Sequence, residues 1–378
     1  MRERITSYFS DLEDTRCPCD VDHKLADVLI LVMCSVLCGI DELGKIVTYG
    51  KEKLNFLNEC FGITKIPSKA TLSRIMNMVN ADVVAERIVR IMLDLIGADG
   101  EIVAIDGKTI RSTAKKNSWR EKLHLITAYM TDNGVTLGQI AVNEKTNEIP
   151  VLRDLLEMID ISGKTVTADA MHCQTETAAA IIDAGGDYVL DLKGNQGTFF
   201  DEVSTYIEDC ISDETIELES ARTVEKNRDR LEIRTCFKAP NLDWFEGKDD
   251  WKGLTSAFAV HRMTTAKGTT TEEMSFYISS RDEPPERFLE IVRDHWKIES
   301  MHYQLDVVFS EDDCRILSSN GQKAMSIFRK MALCLHKSFI ENISSKTKPS
   351  VANNMFKALI STDFLLEILA SALSVTQP

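Results

Sequence analysis

Two short apolar segments of the chain each close on an aspartate, and this pairing constrains the fold. The segment IVAID ends on Asp106, and TVTAD ends on Asp169. Such segments are typical of strands buried in a sheet that has helices on its faces. In open α/β sheets, ligands bind at the edge formed by the carboxyl ends of the strands. The sequence therefore predicts an α/β fold with a polar site at one edge of the sheet.

The order of the remaining segments predicts a mixed sheet. Residues 1–97 have helical periodicity, and the apolar run at 25–40 is too short for a membrane span and predicts a buried helix. Asp132-Asn133-Gly134 separates two further strand-like segments, which predicts a hairpin. Helical and strand-like segments then alternate to residue 194, β-branched alternation dominates 195–283, and helical periodicity returns after Pro284-Pro285.

The two aspartates predict a divalent metal site if their strands are neighbours. Two close carboxylates repel each other, and Mg²⁺ or Mn²⁺ removes that repulsion because carboxylate oxygens are the hard ligands that these ions prefer. A later helix can supply a third acidic ligand: HWKIES offers Glu299, and EDD offers Glu311, Asp312 and Asp313. Helical spacing places Glu299 on one side of a helix with His295 and His302, at the junction of the helix with the sheet. The alternative is that each aspartate caps a turn or helix and that Glu299 pairs with a neighbouring cation.

The net charge of −15 argues against a generic nucleic-acid binder. A local basic patch can nevertheless hold phosphates, and the stretch KTIRSTAKKNSWREK follows the first aspartate directly. The alternative for this stretch is a solvated loop. The predicted phosphate contacts are Lys108, Arg111, Lys115, Lys116 and Lys193, together with His295 when its imidazole is protonated.

Several segments, taken in order, resemble the DDE transposases of bacterial insertion sequences, and most closely the branch that includes the H-repeat-associated proteins. They are AIDGKTIR, LHLITAY, EKTNEIPVLRDLL, TADAMHCQ, DYVLDLKGNQ and RDHWKIESMHYQLDVVFSEDDCRI. PSKATLSRI is similar to the motif of the N-terminal domain associated with that family. The resemblance covers nearly the whole chain.

The resemblance implies a ribonuclease-H-like mixed sheet with flanking helices, and Asp106, Asp169 and Glu299 as a metal-binding catalytic triad. Related transposases carry Glu in a Tyr–Arg–Glu–Lys signature, whereas Val292, His295 and Asp306 occupy the other three places here. The implied domains are a helical N-terminal transposase-associated domain at 1–97, the first part of the catalytic core at 98–194, an inserted antiparallel β region at 195–283, and the helical completion of the core at 284–378.

The implied function is a DNA transposase that cleaves and joins phosphodiester bonds with Mg²⁺ or Mn²⁺ at the ends of its element. Its partners would be double-stranded DNA, both element ends and target, and a second copy of the chain when two ends are synapsed. The expected location is the bacterial cytoplasm, at the nucleoid when DNA is bound. Two alternatives fit the same residues: an inactive relic that only binds DNA, and a metal-dependent nuclease that does not join strands.

Overall fold

The computed structural model describes residues 2–16, 21–111, 122–142, 148–213, 215, 218–227, 229–316, 318–345 and 347–374. Within this part of the chain, the residues form a mixed α/β structure with one large sheet and helices on both of its faces. The predicted α/β class is thereby confirmed. Lys115 and Lys116 lie outside the described residues.

Helices form the described chain before the first strand. The helix over the apolar run is buried along nearly its whole length, as predicted, because it packs beneath a later central helix. Local chemistry sets several boundaries: the Ser68 hydroxyl caps one helix by accepting from the Thr71 amide, and Gly62 ends another in the left-handed conformation. These helices are α1 Arg2–Ser10, α2 Leu25–Leu37, α3 Leu43–Glu52, α4 Leu54–Phe61, α5 Lys69–Met78 and α6 Ala81–Ile96.

The sheet contains nine strands in the order β3-β2-β1-β4-β5-β9-β8-β7-β6. β1, β4 and β5 are parallel to one another, and the remaining neighbours are antiparallel. The predicted hairpin joins β2 to β3. The strands are β1 Ile102–Ile110, β2 Leu123–Met130, β3 Thr136–Val142, β4 Thr165–Ala168, β5 Asp187–Leu192, β6 Ser220–Asn227, β7 Arg230–Lys238, β8 Ser256–Ala266 and β9 Thr269–Ser279.

The sequence analysis ended the first strand at Asp106, which is wrong. β1 continues to Ile110, because Gly107 to Ile110 remain paired with Leu123 to Ile126 of β2. Asp106 therefore lies inside a strand that is paired on one side beyond it, whereas β4 ends at Ala168 and Asp169 follows it directly. The two aspartates differ in how firmly their backbones are held.

The alternating segments after residue 195 form antiparallel strands as expected, but they extend the main sheet. β9 pairs with β5, with Leu190 opposite Ile278, so β6 to β9 continue the sheet outward. The segment also contains a helix, α9 Thr198–Ser212, which the strand pattern did not reveal. Its apolar residues recur at helical spacing and are buried: Phe199, Val203, Ile207 and Cys210.

The helices after β3 cover the two faces of the sheet. α10 crosses the face that carries Asp106, and α11 packs beside α10 and against α2, α5 and α6. α7 covers the opposite face, where the absence of a side chain at Gly138 lets this helix approach the sheet closely. Among the described residues, no helix combines the length and apolarity needed to cross a bilayer. These helices are α7 Glu148–Met158, α8 Thr175–Asp183, α10 Pro285–Phe309, α11 Ser319–Glu341, α12 Val351–Ile360 and α13 Thr362–Ser374.

The packing of α11 on α2 predicts a pH-dependent stability. His336 Nε2 donates to the carbonyl oxygen of Leu37 across 2.9 Å, and burial lowers the pKa of His336 from 6.5 to about 4. The unfolded chain therefore binds a proton that the folded chain excludes, so stability that is complete above pH 6.5 is lost as the pH falls toward 4. This group should lower the free energy of unfolding by about 2 kcal/mol between pH 7 and pH 5.

Chemical denaturation of the wild-type chain and of His336→Gln at both pH values measures this effect. Glutamine keeps an N–H donor but does not titrate, so the decrease between the two pH values should be smaller by that amount in the variant. An equal decrease in both proteins would show that His336 does not carry the effect.

Candidate functional site

Asp106 and Asp169 stand side by side on two adjacent parallel segments, Asp106 inside β1 and Asp169 directly after the last residue of β4. Ile105 pairs with Ala168, and the next residue of each chain segment is the aspartate. The backbone N–H of Gly107 donates to Asp106 Oδ1 across 2.7 Å, which fixes that carboxylate at the sheet edge. The strand alignment thus brings together the two carboxylates that the sequence selected.

Glu299 reaches the same edge from α10, between two histidines that contact the aspartates. His295 Nε2 lies 3.2 Å from Asp169 Oδ1, and His302 Nδ1 lies 3.3 Å from Asp106 Oδ2. Because these histidines stand four residues before and three residues after Glu299, all three side chains project from one side of the helix. The contacts place Glu299 opposite the gap between the two strands.

The three carboxyl groups share one electrostatic environment. Burial raises the pKa of Glu299, and the charges of Asp106 and Asp169 raise it further, in part offset by His295. Asp169 behaves oppositely: the hydrogen bond from His295 lowers its pKa, and Lys193 and His172 act in the same direction. Asp169 is therefore held in its ionised form, whereas Glu299 resists ionisation beside the two aspartates.

A cavity of about 180 Å³ opens between α10 and the ends of β4 and β5. Asp191 lines it, and burial raises the pKa of this carboxyl group although Lys193 Nζ lies 2.7 Å from Asp191 Oδ2. Asp191 is not among the residues that the sequence pointed to. The available signal was its position near the end of a third parallel strand, two residues before Lys193. The remaining lining includes Thr167, Asp169, Tyr277, His295, Trp296 and Glu299.

The donor set suits a hard divalent cation. The charges of Asp106 and Asp169 raise the pKa of Glu299, which indicates a negative potential that such an ion would relieve. Within the described ranges, no three His, Cys, Asp or Glu side chains already form a metal-ligand group. In this structure the imidazoles of His295 and His302 contact the aspartates directly.

A second polar group, not anticipated from the sequence, surrounds Gly107 on the opposite face of the sheet. His124 Nε2 lies 3.1 Å from Glu148 Oε1, and His124 Nδ1 lies 2.7 Å from Thr109 Oγ1. His172 is nearby and fully buried, and burial lowers its pKa. A Cβ atom on Gly107 would stand only 2.7 Å from His124 Nε2 and 2.8 Å from Glu148 Oε2. Because Gly107 has no side chain, His124 and Glu148 can occupy this space.

The predicted phosphate contacts are distributed around this edge. The Arg111 amide donates to Asp312 Oδ1 across 2.9 Å, and its 86% exposed side chain pairs with the same carboxylate, with Nε 3.5 Å from Asp312 Oδ2. Lys193 is 64% exposed beside the cavity. Lys108 turns inward, and its ammonium donates to Asp306 Oδ1 and Glu311 Oε2 across 2.5 and 2.9 Å. Asp306 therefore has a lysine as its partner, although it stands where the related signature carries a lysine itself.

Comparison with known sequences identifies the family. The profile of the family described as "Transposase DDE domain" matches residues 97–335, and that of "DDE_Tnp_1-associated" matches residues 6–91. The chain belongs to the DDE transposase family. Among its relatives, "H repeat-associated putative transposase YhhI" of Escherichia coli K12 is 33% identical over 98% of both chains. "Putative transposase YncI" of Escherichia coli O157:H7 is 32% identical over 98% of this chain and 95% of that protein.

A solved structure of another transposase also aligns with this DDE transposase. It is the cryo-EM structure of the piggyBac transposase synaptic complex with hairpin DNA, at 9% sequence identity and a TM-score of 0.41. The alignment covers 98% of this chain and 78% of that one.

The crowding at Gly107 predicts that even a methyl group there disturbs the candidate site at Asp106. Gly107→Ala forces apart His124, Glu148 and β1, so we expect a loss of about 1–3 kcal/mol in stability. We also expect strand cleavage to slow by roughly 10- to 100-fold, because Asp106 is the adjacent residue. Thermal unfolding and a DNA-nicking assay measure the two effects.

Gly44→Ala is the matched control. Its Cβ atom would meet its nearest neighbour, Lys69 Cδ, at 3.8 Å, within a helix that favours alanine. If Gly107→Ala and Gly44→Ala cleave at the same rate, the close approach at Gly107 has no bearing on the site.

Proposed function

We propose that Asp106, Asp169 and Glu299 form the catalytic triad with which this DDE transposase cleaves and joins DNA. The observation that carries the proposal is the alignment of the two aspartates on adjacent parallel strands, with Glu299 held opposite them by two flanking histidines. A chance arrangement of helix caps would not require a helix from the far end of the chain to meet both strand ends.

The strand order supports a ribonuclease-H-like core. β3, β2 and β1 form an antiparallel meander, and β4 and β5 follow in parallel on the other side of β1. We infer that residues 98–194 and 284–378 make up this core, that 195–283 is inserted into it, and that 1–97 is the associated helical domain. The continuity of β9 with β5 supports the inference, because an insertion that rejoins the sheet returns the chain to the core.

The triad residues would ligate one or two divalent cations, Mg²⁺ or Mn²⁺. Such ions, when bound, supply Lewis-acid stabilisation of the phosphodiester and an activated oxygen nucleophile. Asp169 is suited to receive a cation because its lowered pKa keeps it ionised at neutral pH. Glu299 completes the set from α10, and the approach of positive charge favours its ionised form. Water attack would release a 3′-OH, and that hydroxyl would then attack target DNA.

The DNA path would run along the same edge. Arg111 and Lys193 place exposed cations on two sides of the acidic group, and the undescribed Lys115 and Lys116 follow Arg111 in sequence. His295 would contact phosphate when protonated. The net charge of −15 makes such local cations necessary, because the rest of the surface repels DNA. Handling two element ends together calls for a homodimer, acting in the bacterial cytoplasm at the nucleoid.

Conservative changes in the triad should abolish chemistry without preventing DNA binding. Asp106→Asn, Asp169→Asn and Glu299→Gln should each slow Mg²⁺-dependent nicking of DNA that carries the element ends by at least about 1,000-fold. A gel-based nicking assay and a binding titration in Ca²⁺ measure the two properties. Nicking by Asp169→Asn at the wild-type rate would refute the triad.

The same assay separates the two alternative functions. A wild-type chain that binds element ends yet cleaves nothing in Mg²⁺ or Mn²⁺ would be a DNA-binding relic. A chain that cleaves but does not join pre-cut ends to target DNA would be a nuclease. Transposase function requires both products.

Lys193 should contribute to affinity through phosphate. Lys193→Gln should reduce the slope of log K against log salt concentration by about 1. Lys51→Gln, at an exposed position on α3, is the control. A binding titration at several salt concentrations measures the slopes, and equal slopes for wild type and Lys193→Gln would exclude a phosphate contact at this residue.

A further inference from the structure

Lys108 is the most fully engaged cation beside the proposed triad. It lies two residues after Asp106 in β1, so both side chains project from the same face of the strand, toward α10. Its side chain is only 12% exposed, and its Nζ atom has three acceptors: Asp306 Oδ1 at 2.5 Å, Glu311 Oε2 at 2.9 Å and the His302 carbonyl oxygen at 3.4 Å. An ammonium group has three N–H donors, so each donor of Lys108 has an acceptor within the protein.

The contacts of Lys108 set the register of α10 on β1. Two residues along a strand cover about 6.6 Å, and four residues along a helix cover about 6 Å. The contact of Asp106 with His302 and the contact of Lys108 with Asp306 therefore join β1 to α10 at two successive positions along both elements. Glu299 lies one turn before His302. If α10 shifted along β1, both contacts would break and Glu299 would move away from the aspartates.

The contacts of Lys108 are difficult to replace because its partner Glu311 is buried. Glu311 is 1% exposed, and although burial opposes its ionisation, Lys108 and then Arg329 and Lys330 lower its pKa overall. Loss of Lys108 would remove one cation from this buried carboxylate, and it would remove from Asp306, in the last turns of α10, the one cationic partner found among the described residues. Uncompensated buried charge is costly, so the local structure would have to shift.

We propose that Lys108 is a positioning residue, which fixes the register of α10 so that Glu299 meets Asp106 and Asp169, and that it does not contact DNA phosphate. The proposal rests on the proposed triad. It assigns to Lys108 a task different from the phosphate contact that the sequence alone suggested.

A charge exchange tests the proposal. Lys108→Met should slow cleavage at saturating DNA by about 100-fold, since a displacement of about 1 Å can have an effect of that size. DNA affinity and its salt dependence should not change. The double variant Lys108→Glu with Asp306→Lys retains one cation and two carboxylates among positions 108, 306 and 311. As in a double-mutant cycle, it should cleave at least about tenfold faster than Lys108→Glu alone.

Two further variants distinguish a specific loss of cleavage from a general loss of stability. Asp41→Asn weakens the ion pair with Arg329, which belongs to the same buried network but lies farther from the triad, and should lower stability without slowing cleavage at saturating DNA. Asp306→Asn removes the more exposed partner of Lys108, and should slow cleavage with a smaller loss of stability than Lys108→Met. If Lys108→Met does not fold, Asp306→Asn and the charge exchange decide the question.

A binding measurement separates this proposal from the triad itself. Lys108→Met should weaken Mn²⁺ binding by about tenfold in calorimetry without DNA, while Asp41→Asn should not, because only the former misplaces Glu299. A wild-type chain that neither binds Mn²⁺ nor cleaves refutes the triad. A wild-type chain that does both, with Lys108→Met equal to it in Mn²⁺ affinity and cleavage but reduced in the salt slope by about 1, refutes the positioning role.

Discussion

The packing of α10 across the ends of β1 and β4 is the contact on which the site depends. Two carboxylates at one sheet edge repel each other, and a third can approach only if its element is held there by other interactions. The helix is held by His295 on Asp169, His302 on Asp106 and Asp306 on Lys108. These contacts oppose the repulsion on both sides of Glu299 and hold it beside the two aspartates.

The path of the chain explains how a residue so distant in sequence reaches this edge. β9 runs antiparallel to β5, and its last residue, Ser279, pairs near the start of β5. α10 therefore begins beside the amino ends of the parallel strands, where Arg281 donates to Thr165 Oγ1 and pairs with Glu101. From there to Glu299 is about 20 Å of helix, which is enough to span the roughly 16 Å of extended chain between Glu101 and Asp106. Strands β6 to β9 thus deliver α10 to the correct side of the sheet.

Behind α10, the long helix α11 ties the sheet to the preceding helices through buried polar groups. Lys330 Nζ donates to Thr127 Oγ1 and Gln139 Oε1, and burial lowers its pKa to about 8. Thr127 is the cross-strand partner of Asp106, so the network reaches the strand that carries the first aspartate. On the other side of the helix, Arg329 pairs with Asp41 in the segment between α2 and α3. Such groups are stable only when every partner is present, which makes the arrangement of these elements specific.

Local patterns in the sequence determined most of the helices, most strands, the hairpin and the choice of Asp106, Asp169 and Glu299 as candidates. Periodicity, turn residues and strand-end carboxylates are properties of adjacent residues, and they can be recognised without a fold. The ordered motifs also pointed to the transposase family, which the comparisons confirmed. The roles of the three acidic residues remain a prediction.

Tertiary structure alone decided which partners these side chains have. Nothing near Lys108 in sequence shows that its ammonium meets Asp306 and Glu311, or that His124 and Glu148 occupy the space beside Gly107. The same holds for β9, whose pairing with β5 makes strands β6 to β9 part of the main sheet. The physical reason is that a contact between distant residues depends on the register of packed elements, and that register is set by the combined packing of the whole chain.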